Sequence, residues 1–551
     1  MSTANPTHAH TPGRQTMQEP PSYDYIVIGS GFGGAVSALR LAEKGWRVAV
    51  IEQGRRVTDE HIRRAKRNPL DLLWLPDLGL KRGYFTQHLF QHAAILGGVG
   101  LGGGSLVWAA VMLEPRDKFY DSPELAGLGI DWRAALKPHF ATAKRMLGVA
   151  RNPYHSLQDD LLQGTANAMG TGDTFGAVPN AICFEAEPGS DPYFRGEGPP
   201  RNPCIRCGGC MTGCADNAKN SLDKNYLYLA EKLGVTFYTN LQADRVEPMP
   251  GGGYRLDLLP TARGTDATTL TCDRLVVSCG VVGTLELLLK NREQYGTLPA
   301  VSRSLGEIVR TNSEAITGVL HPAGTDVTDG TGVSSDFYPD ANTHVTQNRF
   351  DRGYRIVRYM YAPMTDGEKP VWRALKTVLG MLLSPLLVLK NWFCRDWEKR
   401  ITLFTVMQDL DNSLGFKFGR DWRRGFKPGI KSVAHPERQP PSYLKIANDV
   451  TRVYADLAGG QPLSSITESL GNLSTTAHVL SGCPMGTDSG NSVIDANHEV
   501  HGHPGLFVVD GSSIPANIGV NPSLTITAMA ERFASLQPIN EEATARQGLE
   551  V

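Results

Sequence analysis

The chain has 551 residues, too many for one ordinary core, so two consecutive or intertwined domains are expected. Hydrophobic residues make up 41% and charged residues 20%, an ordinary globular balance. A formal net charge of -1 leaves no electrostatic footprint for nucleic acid.

Residues 1–19 are polar and contain prolines. They lack the apolar centre of a secretion signal and any Arg-Arg pair, and read as a disordered lead-in. Without export the compartment is cytoplasmic and reducing, so structural disulfides are not expected.

The first element pair lies in YDYIVIGSGFGGAVSALRLAEKGWRVAVIEQG, Tyr23 to Gly54. YIVIG reads as a buried strand, Ala35 onward has helical spacing, and RVAVIE reads as a second strand ending in Glu52. Gly29, Gly31 and Gly34 form G-x-G-x-x-G, which gives a tight turn and lets a pyrophosphate approach the helix N-terminus. Glu52 stands where a carboxylate accepts from a ribose hydroxyl. The pattern by itself does not separate FAD from NAD. A second glycine-rich loop follows, GLGGGSLVWAA, Gly100 to Ala110.

NPCIRCGGCMTGCADNAKNS, residues 202–221, holds Cys204, Cys207, Cys210 and Cys214. The spacing C-x2-C-x2-C-x3-C is the run that binds cubane clusters in bacterial ferredoxins. Ala215 stands where ferredoxins have proline, and there is one such run. Zinc and unligated thiols are the alternatives; zinc ribbons separate their two knuckles by a longer loop. The remaining cysteines are dispersed and read as core residues.

SCGVVGTLELLLK, Ser278 to Lys290, reads as strand, glycine and helix. In the middle of the chain RIVRYMYA and ITLFTVM read as strands. Between them KPVWRALKTVLGMLLSPLLVLKNWFCRDWEKR, Lys369 to Arg400, has an apolar heart interrupted by Pro385 and too short to span a bilayer. Basic and tryptophan flanks suit a surface-lying anchor beside anionic lipid; a lid or buried helix pair over a substrate pocket is the alternative. The last blocks are HVLSGCPMG, residues 478–486, and GLFVVDGSSIPANIGVNPSLTITAMAERFA, residues 505–534. LFVVDG reads as a strand ending in Asp510, and NPSLTITAMAERFA as a helix.

These blocks together resemble the glucose–methanol–choline (GMC) oxidoreductases, in their cholesterol-oxidase-like branch. The likeness spans residues 23 to about 535 and is poor over about 305–470. It implies an α/β fold with an α+β substrate domain. A Rossmann-like FAD-binding domain, from 20–115, 203–300 and 486–540, is interleaved with a substrate domain on a largely antiparallel sheet, from 116–202 and 301–485; 541–551 is a tail. It also implies noncovalent FAD, with cofactor contacts at Gly29, Gly31, Phe32, Gly33, Gly34, Glu52, Gly100, Gly103, Gly104, Ser105, Ala243, Gly280, Asp510, Gly511, Asn521 and Pro522. The helix after Pro522 can point free N–H groups at the negative charge of a reduced flavin.

The activity implied is oxidation of an alcohol to a carbonyl by hydride transfer to the flavin, with a bulky apolar alcohol such as a 3-hydroxysteroid as leading substrate. His478 matches the family's catalytic histidine and Asn521 its active-site asparagine. A neutral imidazole can take the hydroxyl proton, and an amide can hold the oxygen in line. Plainer readings are a histidine bonded to backbone and an asparagine N-cap before Pro522. Sterol-oxidising relatives also use a substrate-domain glutamate, for which Glu398 stands in about the right place; an exposed charge beside Lys399 and Arg400 is its alternative. Trp108 and Ser523 depart from that branch, which expects asparagine and an aromatic there, so oxygen reactivity does not carry over.

Some bacterial relatives in the family carry an iron–sulfur cluster just before AKNSLDKNYL. A 4Fe-4S or 3Fe-4S cluster on the four cysteines would send single electrons to an external acceptor, a protein or quinone. The alternatives are another alcohol, terpenoid or aryl, and a flavin–cluster electron carrier with no substrate of its own. The expected location is cytoplasmic, with peripheral contact through 371–393 on the inner membrane face as the anchored variant.

Overall fold

The computed structural model describes residues 19–421 and 426–543; the expected lead-in up to residue 18, and 544–551 of the expected tail, lie outside the described residues. The strand Ser22–Ile28 pairs in parallel with Val48–Glu52 on one side and with Thr268–Val277 on the other. Its last residues, Tyr25–Ile28, are almost wholly buried, as an uninterrupted apolar run in a parallel sheet requires. Thr236–Thr239 extends the sheet beyond Val48–Glu52, also in parallel.

Thr268–Val277 is long enough to serve two partners on its far side. Its first half meets the antiparallel hairpin Leu241–Pro248 and Tyr254–Pro260, and its end takes Leu506–Val508 in parallel. Three distant stretches of chain therefore close one seven-stranded sheet. The helix Phe32–Glu43 packs a small-residue face, Ala35, Ala38 and Ala42, into this core. The C-terminal helix Ser523–Leu536 lies against it, joined by Arg40 and Glu531 at 2.9 Å.

The second sheet is antiparallel throughout. Its order is Tyr361–Pro363, Gln461–Ser465, Ala315–Leu320, Ile401–Gln408, Thr343–Asn348, Ser335–Asp340 and Gly176–Ala177. Helices Leu157–Ala168 and Lys445–Ala458 cover it through Leu162, Ala166, Val450 and Tyr454, which pack on Phe337 and Phe404. The α/β class and the antiparallel second sheet agree with the sequence.

One expected strand does not form. Most of RIVRYMYA lies in a 3-10 segment, Arg352–Met360, and only Tyr361–Pro363 is extended. Asp351 caps it by accepting the Gly353 N–H at 3.0 Å, and Arg355 and Arg358 are tied to Glu398 and to the Cys394 carbonyl. These tertiary bonds outweigh the local preference of β-branched and aromatic residues.

The apolar stretch forms helices Pro370–Leu383 and Pro385–Trp392, bent by 86° at Ser384. Among the described residues no single helix is long and apolar enough to cross a membrane. The pair is not buried: Leu382, Leu383 and Leu386 are 71%, 73% and 70% exposed, and Trp372 and Phe393 are exposed beside them. Arg373, Thr377, Val388 and Asn391 face inward and anchor the pair to the second domain.

Candidate active site

The turn from Gly29 into the first helix is held by close backbone approach. A Cβ on Gly33 would stand 1.7 Å from the Val509 carbonyl, and one on Gly103 would stand 2.8 Å from the Gly31 Cα. The second glycine-rich loop, a 3-10 turn Gly103–Leu106 flanked by Gly100 and Gly104, thus rests directly on the first. Beside Gly31 itself a Cβ would meet nothing within 4 Å, so room lies open at the helix N-terminus. Phe32 and Trp108 pack their rings 4.9 Å apart at this corner, and the Trp108 indole N–H is buried without a partner. Open space at a helix N-terminus and an orphaned donor beside it fit a dinucleotide cofactor.

Glu52 is buried at the end of its strand and binds the turn around it. Its oxygens accept from the Ser30 hydroxyl at 2.6 Å, the Gly54 N–H at 2.8 Å and the Ser30 and Gly100 N–H groups at 3.2 Å. Burial pushes its carboxyl up, opposed by those four donors. Ser105 donates to the Gly102 carbonyl at 2.6 Å and accepts from the Leu222 N–H at 3.0 Å, so its hydroxyl serves the loop. Asp510 gathers four donors, from Gly280, Thr284 and both the N–H and hydroxyl of Ser512, and so ties the Gly511 turn to the start of helix Gly280–Glu293. Ala243 is buried near the start of Leu241–Pro248.

His478 and Asn521 meet. The Asn521 Nδ2 lies 3.2 Å from His478 Nε2, and the Asn521 Oδ1 is buried without a partner. The cap position of the C-terminal helix is held by Pro522, with no side-chain cap, so Asn521 faces the histidine and the N-cap alternative falls. On the other side of the ring, Nδ1 contacts the buried carboxylate of Glu314. The two segments are latched together, with the Cys483 N–H donating to the Ser512 carbonyl at 3.0 Å and the Ser481 hydroxyl to the Ile514 carbonyl at 2.7 Å.

Glu314 was not legible beforehand; no local motif surrounds it, and it sits 164 positions from His478. Glu398 is placed differently from both expectations. It is buried on the short helix Trp397–Arg400, and both carboxylate oxygens accept from Arg355 at 2.5 Å. The carboxylate that touches His478 is Glu314.

The four cysteines line one small cavity with Ile182, Gly208, Gly213 and Lys219. Two of the sulfurs accept a backbone N–H, Cys210 from Gly332 at 3.2 Å and Cys214 from Ala218 at 3.3 Å. Burial pushes the Cys204 and Cys210 thiols up to about 11 and about 12. Among the described residues no three Cys, His, Asp or Glu side chains are grouped to hold a metal ion, so the arrangement of the thiols supports neither the expected iron–sulfur cluster nor zinc.

The Lys219 Nζ, buried behind Cys210, donates to the Cys210 carbonyl at 2.7 Å, the Leu106 carbonyl at 2.9 Å and the Trp108 carbonyl at 3.4 Å. It thereby joins the cysteine loop to the second glycine-rich loop.

Residues 24–65 match the FAD binding domain family, and residues 433–530 match GMC oxidoreductase. A cholesterol oxidase of Acinetobacter baumannii is 38% identical over 531 residues, covering 94% of both chains. A cholesterol oxidase of Mycobacterium tuberculosis is 39% identical over 545 residues, covering 96% of this chain and 93% of its own. In fold, pyridoxine 4-oxidase from Mesorbium loti superposes with a TM-score of 0.58 at 15% identity, over 93% of this chain and 98% of that one. An open helix N-terminus, a histidine–asparagine pair and likeness along nearly the whole chain place this protein in the GMC oxidoreductase family, as an FAD-dependent oxidoreductase acting on alcohols.

Proposed function

We propose that this protein oxidises a bulky apolar alcohol, a 3-hydroxysteroid first, to its carbonyl. The observation that carries the reading is the His478–Asn521 pair with its open amide oxygen, in a chain whose full-length relatives are named cholesterol oxidases. Flavin bound over the Gly29–Gly34 turn supplies the hydride acceptor. The His478 Nε2 takes the hydroxyl proton as the carbinol C–H leaves as hydride, and the Asn521 amide holds the oxygen in line. An electron carrier without a substrate needs no such base.

Anaerobic mixing with a 3-hydroxysteroid should bleach the flavin at higher kcat/KM than terpenoid or aryl alcohols do. Faster bleaching by a small aryl alcohol would overturn the steroid assignment, and no bleaching by any alcohol would overturn alcohol oxidation here.

Cys204, Cys207, Cys210 and Cys214 would hold a 4Fe-4S or 3Fe-4S cluster, which when bound would supply one-electron transfer to an external protein or quinone acceptor. The shared cavity, the N–H···S bonds to Cys210 and Cys214 and the Lys219 link to the second glycine-rich loop support it. Trp108 and Ser523, which depart from the sterol-oxidising branch beside the flavin ground, also favour an acceptor other than oxygen. The exposed leucines of the bent helix pair, with Lys376, Lys390 and Arg395 among them, support peripheral docking on the anionic inner face of a membrane, where an apolar alcohol dissolves.

A further inference from the structure

We infer that Glu314 is a positioning residue for His478, holding the ring with Nδ1 protonated and Nε2 as the acceptor, facing the Asn521 amide. The inference rests on the reading of His478 as the base of alcohol oxidation. Glu314 stands at the entry to strand Ala315–Leu320, directly after Ser313, whose φ of 46° places a non-glycine residue in the left-handed region. That sharp bend is held by the Ser313 N–H donating to the Thr311 hydroxyl at 3.1 Å. A backbone conformation that L residues avoid thus aims this carboxylate. Its two oxygens hold neighbouring residues of one segment: one contacts the His478 Nδ1, the other accepts the Ala477 N–H at 2.9 Å.

A ring nitrogen facing a carboxylate carries the proton, which leaves the opposite nitrogen bare toward Asn521. When the alcohol proton arrives on Nε2, the ring becomes a cation beside a buried anion, and Glu314 stabilises it without taking the proton. The charged and titratable groups around this corner come from two further elements. Glu468, on the short helix Ile466–Ser469, accepts the Ile316 N–H at 3.0 and 3.3 Å. Burial pushes its carboxyl well above the usual range, with the Glu314 charge adding to the shift, so Glu468 brings no second anion to the ring. Arg373, from the helix Pro370–Leu383, donates to the Glu468 carbonyl at 3.1 Å and to the Asn472 side-chain oxygen at 2.8 Å. Glu314 is the one of these groups that touches the imidazole.

Flavin reduction by the best alcohol, followed by stopped flow across pH, tests this with Glu314→Gln and Glu314→Asp, each checked for yellow FAD. Glu314→Gln should slow the plateau by roughly 10- to 100-fold, the worth of a hydrogen bond to a charged group. Its acid limb should move to lower pH, because the imidazolium loses its carboxylate. Glu314→Asp should keep the acid limb near the wild-type pH. An unchanged plateau, or a lowered plateau with an unmoved acid limb in Glu314→Gln, overturns the inference. Should Glu314→Gln lose FAD, 15N NMR of the histidine-labelled wild-type holoprotein decides instead. Nδ1–H at His478 above the acid limb is expected, and an Nε2–H tautomer overturns the inference. Full activity in His478→Ala would sink the parent reading, whereas loss there with a silent Glu314→Gln sinks only this one.

Discussion

At the scale of single residues, His478 depends on three stretches of chain that meet only in the fold. Its own N–H donates to the Thr476 hydroxyl at 3.0 Å, Glu314 takes Nδ1, and Asn521 reaches Nε2. Removing the imidazole leaves the glycine turn and the sheet beneath it untouched. His478→Ala should therefore keep its yellow FAD and lose roughly 10²- to 10⁴-fold in flavin reduction by alcohol, the usual worth of a positioned acid–base group. Rapid reduction in that variant, measured by stopped flow, would remove the histidine from the reaction. His478 and Asn521 were legible because each sits in a local motif near the C-terminus. Glu314 was not, since a carboxylate is recognised as a partner only once something brings it to the ring. Glu398 was located in sequence, but its salt bridge with Arg355 could not be read there, because Arg355 sits in a segment that the local pattern assigned to a strand.

At the scale of elements, the cysteine loop and the bent helix pair make separate commitments. The loop carries left-handed backbone at Arg206, Gly208 and Gly213, and its four cysteines line one cavity. Anaerobically purified protein should hold roughly three or four iron atoms per chain, with broad absorption under the flavin bands. Cys204→Ser, Cys207→Ser and Cys210→Ser should each release iron while alcohol still reduces FAD, and transfer to a one-electron dye should slow. Iron-free wild type, or zinc in its place, would leave the loop a structural clasp between the domains. The helix pair exposes its leucines and buries Arg373 and Asn391, the reverse of a soluble amphipathic helix. Replacing Leu382, Leu383, Leu386 and Leu387 by serine should abolish co-sedimentation with anionic vesicles and spare the oxidation of a detergent-dissolved alcohol. Wild type that never sediments with such vesicles rules out the anchor.

At the scale of the molecule, the chain builds two sheets from interleaved pieces, and the candidate site forms where those pieces cross. The start, middle and end of the sequence all enter the first sheet, so the glycine turn, the cysteine loop and the His478 and Asn521 segments share one neighbourhood. Sequence alone determined a dinucleotide-binding frame, because close packing of backbone on backbone admits only glycine and an apolar strand has a plain signature; the likeness to the GMC family made the dinucleotide FAD. That likeness also gave the class of chemistry, and the sequence singled out His478, Asn521, the cysteine spacing and the apolar stretch. Only the tertiary structure decided which carboxylate meets the histidine, that Asn521 faces the ring rather than caps a helix, that the leucines point outward, and that RIVRYMYA coils. The physical reason is the same in each case. Local motifs are set by steric demands within a few residues, whereas a side chain's partner and exposure depend on which distant surface arrives to cover it.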